Sequence, residues 1–136
     1  MALTDSQDNA VISFGESPAQ IVLAGTVTKG DALGFSSGWK RALATAGSVV
    51  QLRCVAGSDG VSGETIVAYF GDIVITGGRF TGGVAGSAFY VAEGSNNGKY
   101  TETKPTTSGD ADGIAGYTVT ATTILVTPQA KDHSTV

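Results

Sequence analysis

Val27-Thr28-Lys29-Gly30-Asp31-Ala32-Leu33-Gly34-Phe35 returns further along the chain as Val84-Ala85-Gly86-Ser87-Ala88-Phe89-Tyr90-Val91. In both copies a glycine and a small polar residue stand directly before an alanine that opens an apolar run. Glycine gives the turn its backbone freedom, and runs of this kind suit a pleated, half-buried surface. Each run leads into a glycine-bearing turn, Ser36-Ser37-Gly38 in the first copy and Gly94-Ser95-Asn96-Asn97-Gly98 in the second. Each then continues through a lysine, as Lys40-Arg41-Ala42 and Lys99-Tyr100-Thr101. This is a β-hairpin pattern written twice.

Outward from the hairpins the repetition continues. Val55-Ala56-Gly57 aligns with Ile114-Ala115-Gly116, and Val61-Ser62-Gly63-Glu64-Thr65-Ile66-Val67 with Val119-Thr120-Ala121-Thr122-Thr123-Ile124-Leu125, at a spacing of about 56 to 59 residues. Two halves, about 25–76 and 83–128, each of four or so short strands, are expected to share one core, because neither is large enough to stand alone. Val49 to Val55 reads as one alternating strand, with Val50, Leu52 and Cys54 on one face and Gln51 and Arg53 on the other. Thr65 to Phe70 and Ile73 to Thr76 are further strands. No segment holds a 3.6-residue period over a helical length. The expected fold is all-β: a small duplicated β-barrel or β-tulip-like sandwich at 19–128. An extended N-terminal arm at 1–18 precedes it and a short flexible tail at 129–136 follows.

Composition agrees with that fold class and narrows the function. The chain has 136 residues, 20 of them glycine, and 41% are apolar but only 15% charged. A surface so poor in charge must be largely neutral, which suits lasting protein contact. The net charge of −4, with eight scattered Lys and Arg of which only Lys40 and Arg41 are adjacent, offers no basic field for phosphates. No nucleic-acid partner is expected. No stretch approaches the roughly 20 apolar residues of a membrane span, and no signal peptide opens the chain, so a soluble protein made in the cytoplasm of a cell is expected.

Residues that could carry chemistry are few. The single histidine, His133, lies in the polar tail, and the single cysteine, Cys54, sits in a strand among apolar neighbours. One Cys and one His cannot assemble a zinc site. Asp110-Ala111-Asp112-Gly113 lacks the later acidic ligand of a calcium loop and reads as a turn. The glycines at 77–78 and 82–83 are not followed by Lys-Ser/Thr, so they form no phosphate loop and instead connect the halves. No catalytic residue, metal or cofactor is expected, and the chain reads as a non-enzyme.

The residues singled out are therefore contact candidates. Val11, Ile12 and Phe14 are the apolar members of the arm, Trp39 and Arg41 flank the first hairpin turn, and Arg79 and Phe80 interrupt the glycine-rich connection. Trp, Phe and Arg are enriched where proteins bind one another. For Trp39 the other reading is a lid over its own core.

Ala24-Gly25-Thr26-Val27-Thr28-Lys29-Gly30-Asp31-Ala32-Leu33 resembles the opening of the capsid cement, or head decoration, proteins of tailed phages. Ser62-Gly63-Glu64-Thr65-Ile66-Val67-Ala68 resembles their second recurrent phrase. The likeness runs over roughly Ile21 to Pro128. It implies a virion protein on the outer capsid surface, partnered by the major capsid protein and by itself as a homotrimer or dimer. A cement protein binds the expanded lattice and clamps neighbouring subunits. With an N-terminal arm at 1–18, removing Met1 to Ser17 is expected to leave the β domain folded while weakening attachment to the shell. A spike, fibre or tail accessory module is the other virion part with this composition, although the chain shows no long repeat or coiled-coil stem.

Overall fold

The repeated glycine turn organises the whole molecule. The computed structural model describes residues 10–77, 80–81, 83–128 and 134–136. Among these, five four-residue turns share one design: 28–31, 45–48, 61–64, 84–87 and 107–110. In each the fourth residue's N–H donates to the first residue's carbonyl at 2.9 to 3.1 Å. In each the third residue is a glycine, at φ between 81° and 92° (Gly30, Gly47, Gly63, Gly86 and Gly109). That φ marks a type II turn, which excludes most side chains at the third position. In three of the turns the fourth residue is acidic and closes the loop a second time. Asp31, Glu64 and Asp110 accept the N–H of Thr28 (2.7 Å), Val61 (2.7 Å) and Thr107 (3.1 Å).

Between the turns run short strands. β1 (Val11–Gly15), β2 (Pro18–Val22), β3 (Ala32–Phe35), β4 (Trp39–Arg41), β5 (Cys54–Ala56) and β6 (Thr65–Tyr69) come first. β7 (Ile73–Thr76), β8 (Phe80–Thr81), β9 (Ala88–Val91), β10 (Tyr100–Thr101), β11 (Gly116–Thr120) and β12 (Thr123–Val126) follow, with one 3-10 turn at Gly94–Asn96. They form two sheets, ordered β1-β7-β12-β11-β9-β10-β8 and β2-β6-β5-β3-β4. Pairing is antiparallel except between β8 and β10. Neither sheet closes into a barrel. Of the two forms expected from the sequence, the sandwich is the one adopted.

The two sheets repeat one another. β2-β6-β5-β3-β4 has the same order and the same antiparallel pairings as β7-β12-β11-β9-β10. Gly30 N–H donates to Ala56 O and Ala56 N–H to Asp31 O; Gly86 N–H donates to Thr118 O and Thr118 N–H to Ser87 O. The parallel bridge between Leu23 and Trp39 in the first sheet has its counterpart in β8 beside β10. The spacing, however, is not the even one read from the sequence. Gly30 and Gly86 stand 56 residues apart as aligned, but Ala56 corresponds to Thr118 and Trp39 to Tyr100. Residues 92–99 make the β9–β10 connection longer than the 36–38 turn, and the two-residue turn 121–122 replaces 57–64. These changes of loop length shift the register between the halves.

Two further expectations are corrected. Val49 to Val55 is not one strand, since only Cys54–Ala56 is, and Val50 forms an isolated bridge with Leu43. Leu52 consequently packs with the core between the sheets while Cys54 enters the other cluster. Residues 11–18 are not an arm, because β1 pairs with β7 and β2 with β6. Ala10 is buried, and a Cβ on Gly15 would come within 2.7 Å of the Tyr69 ring. Removing Met1 to Ser17 would therefore strip a strand from the larger sheet. Residues 1–9 of the expected arm, and 129–133 of the expected tail, lie outside the described residues. Residues 134–136 are no free tail but pair with 109–112, where Val136 N–H donates to Asp110 O and Gly109 N–H to Val136 O at 2.8 Å.

The main core sits between the sheets, where Ala32, Ala42, Ala44 and Val55 of the first half meet Ile73, Ile75, Phe89, Tyr100, Ile124 and Val126. Phe89 and Tyr100 pack edge to face, with ring centres 5.4 Å apart. The opposite face of the smaller sheet has its own cluster, Ile21, Leu33, Cys54, Ile66 and Ala68, covered by Leu23 and Val27.

Candidate functional site

The first-hairpin candidates are engaged inside the chain. Arg41, on β4, lies opposite Leu33 and turns its guanidinium onto the turn below. Its Nε donates to Asp31 Oδ2 at 2.7 Å and its Nη2 to Thr28 Oγ1 at 3.0 Å. Asp31 is fully buried, so this charge pair is held in a low-dielectric setting where losing either partner is costly. The Tyr100 hydroxyl donates to Gly30 O at 3.0 Å in the same place. The Arg41 side chain retains only 16% of its exposure, and its role is to lock the repeated turn to the hairpin. Trp39 packs edge to face with Phe35 (5.3 Å) and Phe70 (5.6 Å) over the smaller sheet's cluster. It is half-buried, with the outer flank of this aromatic row formed by exposed Phe35.

The β1 candidates divide. Ile12 lies opposite Ile75 and packs on the core, whereas Phe14 lies opposite Val74 on the outer face. Residues two apart ordinarily share a face; the register shift between Ile12 and Phe14 is a bulge that reverses the rule. Val11 and Phe14 are consequently exposed, at 58% and 52%. Arg79 lies outside the described residues, and of Phe80 only the backbone, paired with Tyr100, is described.

Burial pushes the Cys54 thiol up to about 12, which leaves it protonated and unreactive. Among the described residues no three His, Cys, Asp or Glu side chains gather to hold a metal ion. A hollow of about 200 Å³ lies beside Ala92, Glu93, Lys99 and Tyr100. At its rim the Glu93 carboxyl is raised above its ordinary value by a hydrogen bond with Asp110, by burial and by the Asp110 charge. Asp110 in turn accepts the N–H of Ala46 at 2.8 Å and of Thr107 at 3.1 Å, so this carboxyl pair ties the β9–β10 connection to two of the glycine turns. No described helix is long and apolar enough to cross a membrane.

The feature that sequence reading missed is the outer face of the larger sheet. Its seven strands contain no Asp, Glu, Lys or Arg. Ladder register aligns Phe14, Val74, Leu125, Tyr117 and Ala88 in one row across five strands. Tyr117 is 50% exposed, and Val74, Leu125 and Ala88 are half-buried. Thr76 and Thr123 border the row, their hydroxyls 3.2 Å apart. The signal was present in Ile73-Val74-Ile75 and Ile124-Leu125-Val126, runs apolar on both faces, which occur where both faces are covered.

Comparison with known proteins adds no assignment: no family model matches the chain, and no curated protein matches it.

Proposed function

We propose that this chain is a structural virion protein that binds the outer surface of an expanded phage capsid and cements neighbouring major capsid protein subunits. The observation that carries the reading is β1. It is the edge strand of the larger sheet, it presents Val11 and Phe14 to solvent, and it is built firmly into the core through Ala10 and Ile12. An edge strand with apolar side chains and an unpaired outer backbone is a template for a strand or loop of another protein. The scarcity of charge and the resemblance of Ala24 to Leu33 and Ser62 to Ala68 to cement proteins support it. On this reading the chain is not an enzyme and needs no cofactor. Its effect is by mass action, since a protein that binds only the expanded lattice stabilises that lattice.

The test is cosedimentation of purified protein with expanded, undecorated capsids, beside a Val11→Ser/Phe14→Ser double variant whose folding is checked by circular dichroism. Saturable binding at a stoichiometry set by the shell's symmetry is expected, with affinity at least about tenfold lower in the variant. A folded wild-type protein that stays in the supernatant refutes the capsid role. Equal binding by the variant refutes β1 as the contact.

A further inference from the structure

We infer that Asn97 is a site of covalent modification. Its side-chain amide is lost to water through a ring closed by the Gly98 nitrogen, and the fold permits this only when the junction between the two halves opens. The site works in this way whether or not the chain binds a capsid.

Residues 96–99 form a type II turn within the β9–β10 connection. Lys99 N–H donates to Asn96 O at 3.0 Å, Asn97 has φ of −52° and ψ of 143°, and Gly98 has φ of 77°. Asn97 is half-buried and is followed by glycine, which has no side chain to hinder the approach of its own nitrogen. Asn96 lacks that advantage, because Asn97 follows it. The chemistry needs only water and hydroxide. The Gly98 nitrogen gives its proton to hydroxide and attacks Asn97 Cγ. The Cγ–Nδ2 bond breaks, and the amide leaves as ammonia after taking a proton from water, which returns the hydroxide. Water then opens the five-membered imide. Cleavage at Cγ gives aspartate, whereas cleavage at the main-chain carbonyl gives isoaspartate, in which the chain runs through Cβ.

The closed junction withholds both the nitrogen and the geometry. Gly98 N–H donates to Ala42 O at 2.8 Å, and a hydrogen bond that holds the neutral amide opposes loss of its proton. The torsion is wrong as well. A flat imide ring places Cβ, Cα, C and the Gly98 nitrogen in one plane, which requires Asn97 ψ near about −120°. From 143° the Gly98 nitrogen must swing through roughly a quarter-turn to reach that plane. The swing carries Gly98 N–H off Ala42 O and so undoes a stitch between the halves. The turn has little room to do this in place, since Arg41 Cγ and Asp31 lie within 3.0 Å of where a Cβ on Gly98 would sit. Ring closure and junction closure therefore exclude one another.

The product makes the opening permanent. Isoaspartate lengthens the main chain by one atom before Gly98, so Gly98 N–H and O no longer fall opposite Ala42 O and Ala32 N–H together. Either product also adds a carboxylate one residue from Gly98, which lies against the buried Asp31. The hollow beside Asn96 and Lys99 brings water to the same turn for hydrolysis of the imide. An opening that would otherwise reverse is thereby recorded in a covalent bond.

The test is incubation of the full chain at mildly alkaline pH, folded or unfolded in urea. Peptide mass mapping locates the amide loss, and enzymatic methylation detects isoaspartate. Folded protein is expected to lose the Asn97 amide at least about tenfold more slowly than the unfolded chain. Tyr100→Phe removes the 3.0 Å bond from the Tyr100 hydroxyl to Gly30 O, a tie between the halves outside the turn, and is expected to speed the loss in folded protein. Asn97→Gln, whose longer side chain closes a ring poorly, is expected to stop it. Isoaspartate-bearing protein, recovered from the unfolded incubation and refolded, is expected to melt below both wild type and Asn97→Asp. A folded rate within about tenfold of the unfolded one overturns the proposal. So does a folded Tyr100→Phe variant that reacts no faster than wild type, first loss at Asn96, or an isoaspartate-bearing protein that melts with wild type.

Discussion

Replacing Gly98 by alanine is the sharpest test of how the two halves are joined. Gly98 has φ of 77°, its carbonyl accepts Ala32 N–H and its own N–H donates to Ala42 O, each at 2.8 Å. These bonds stitch the long β9–β10 connection of the second half onto the first hairpin. A Cβ at this position would lie 2.8 Å from Arg41 Cγ and 3.0 Å from Asp31 Cγ and Oδ1. Neither neighbour yields cheaply. Asp31 is buried and held at 2.7 Å by both Thr28 N–H and Arg41 Nε, and Arg41 Cγ lies near the root of its side chain. The left-handed backbone alone costs an alanine about 1 kcal/mol. Breaking a buried charge pair outright costs about 3 to 5 kcal/mol, and a displacement of a few tenths of an ångström forfeits only part of that. Gly98→Ala is therefore expected to lose about 2 to 4 kcal/mol in total.

Gly63→Ala separates the two contributions. Gly63 has φ of 90° in an equivalent turn, but an added Cβ meets nothing within 4 Å. It should lose only the backbone cost, about 1 kcal/mol. For a domain of this size 1 kcal/mol moves Tm by roughly 3 to 5 °C. Thermal unfolding followed by circular dichroism should then place Gly98→Ala roughly 6 to 20 °C below wild type and Gly63→Ala only a few degrees below. Equal shifts for the two variants would refute the reasoning, because the contact with Asp31 and Arg41 is what distinguishes them.

Two further outcomes follow from the titratable groups. Cys54, with its thiol pushed from 9.0 to about 12, should react with a thiol reagent at pH 8 only through unfolding. Its labelling rate should rise with urea in parallel with the folding transition and show no fast native phase. Glu93 has a folded value above its ordinary one, so its contribution is fully present below the ordinary value and lost as pH rises through the raised one. Other carboxylates titrate over the same range, so the measure is the difference between wild type and Glu93→Gln: their gap in urea midpoints should be widest in acid and close as pH rises through that interval. A gap that stays constant, or that widens with pH, would remove the carboxyl pair from the account.

What could be read before the structure was set by which interactions are local. The type II turns depend on residues four apart, so Val27 to Phe35 and Val84 to Val91 could be matched directly, and the all-β class followed from such turns and the strands between them. Register between halves was not legible, because it depends on loop lengths that no local pattern constrains. Residues 92–99 and 121–122 shifted it in opposite senses. Arg41 read as a surface hot spot because its partner, Asp31, lies across a hairpin and is visible only once Ala32 and Arg41 are folded together. Phe14 was singled out as a contact residue of an arm, but it reaches the surface because a bulge reverses the face of β1, not because the segment leaves the domain. The row through Tyr117 was invisible to alternation, since its strands are apolar on both sides.

Loop asymmetry is also what makes a duplicated unit into a finite object. Two identical halves, each with a docking row and each with a socket, would pair head to tail without end. Here the first half's row is seated on the inner face of the larger sheet, and only the second half carries the long connection, which bonds to the first hairpin through Gly98. Among the described residues the two halves close on one core, and the row through Tyr117 is left partly open. A lone apolar row on a charge-free sheet would be an aggregation hazard if its edge were long and open. The strand at one end, β8, is two residues long, which offers little backbone to pair with. The strand at the other end, β1, is five residues long and carries the bulge at Ser13. A bulge twists an edge and interrupts regular pairing, so β1 favours a partner of matching shape over indiscriminate extension of the sheet. The same bulge that brings Phe14 to the surface thus limits what Phe14 can bind.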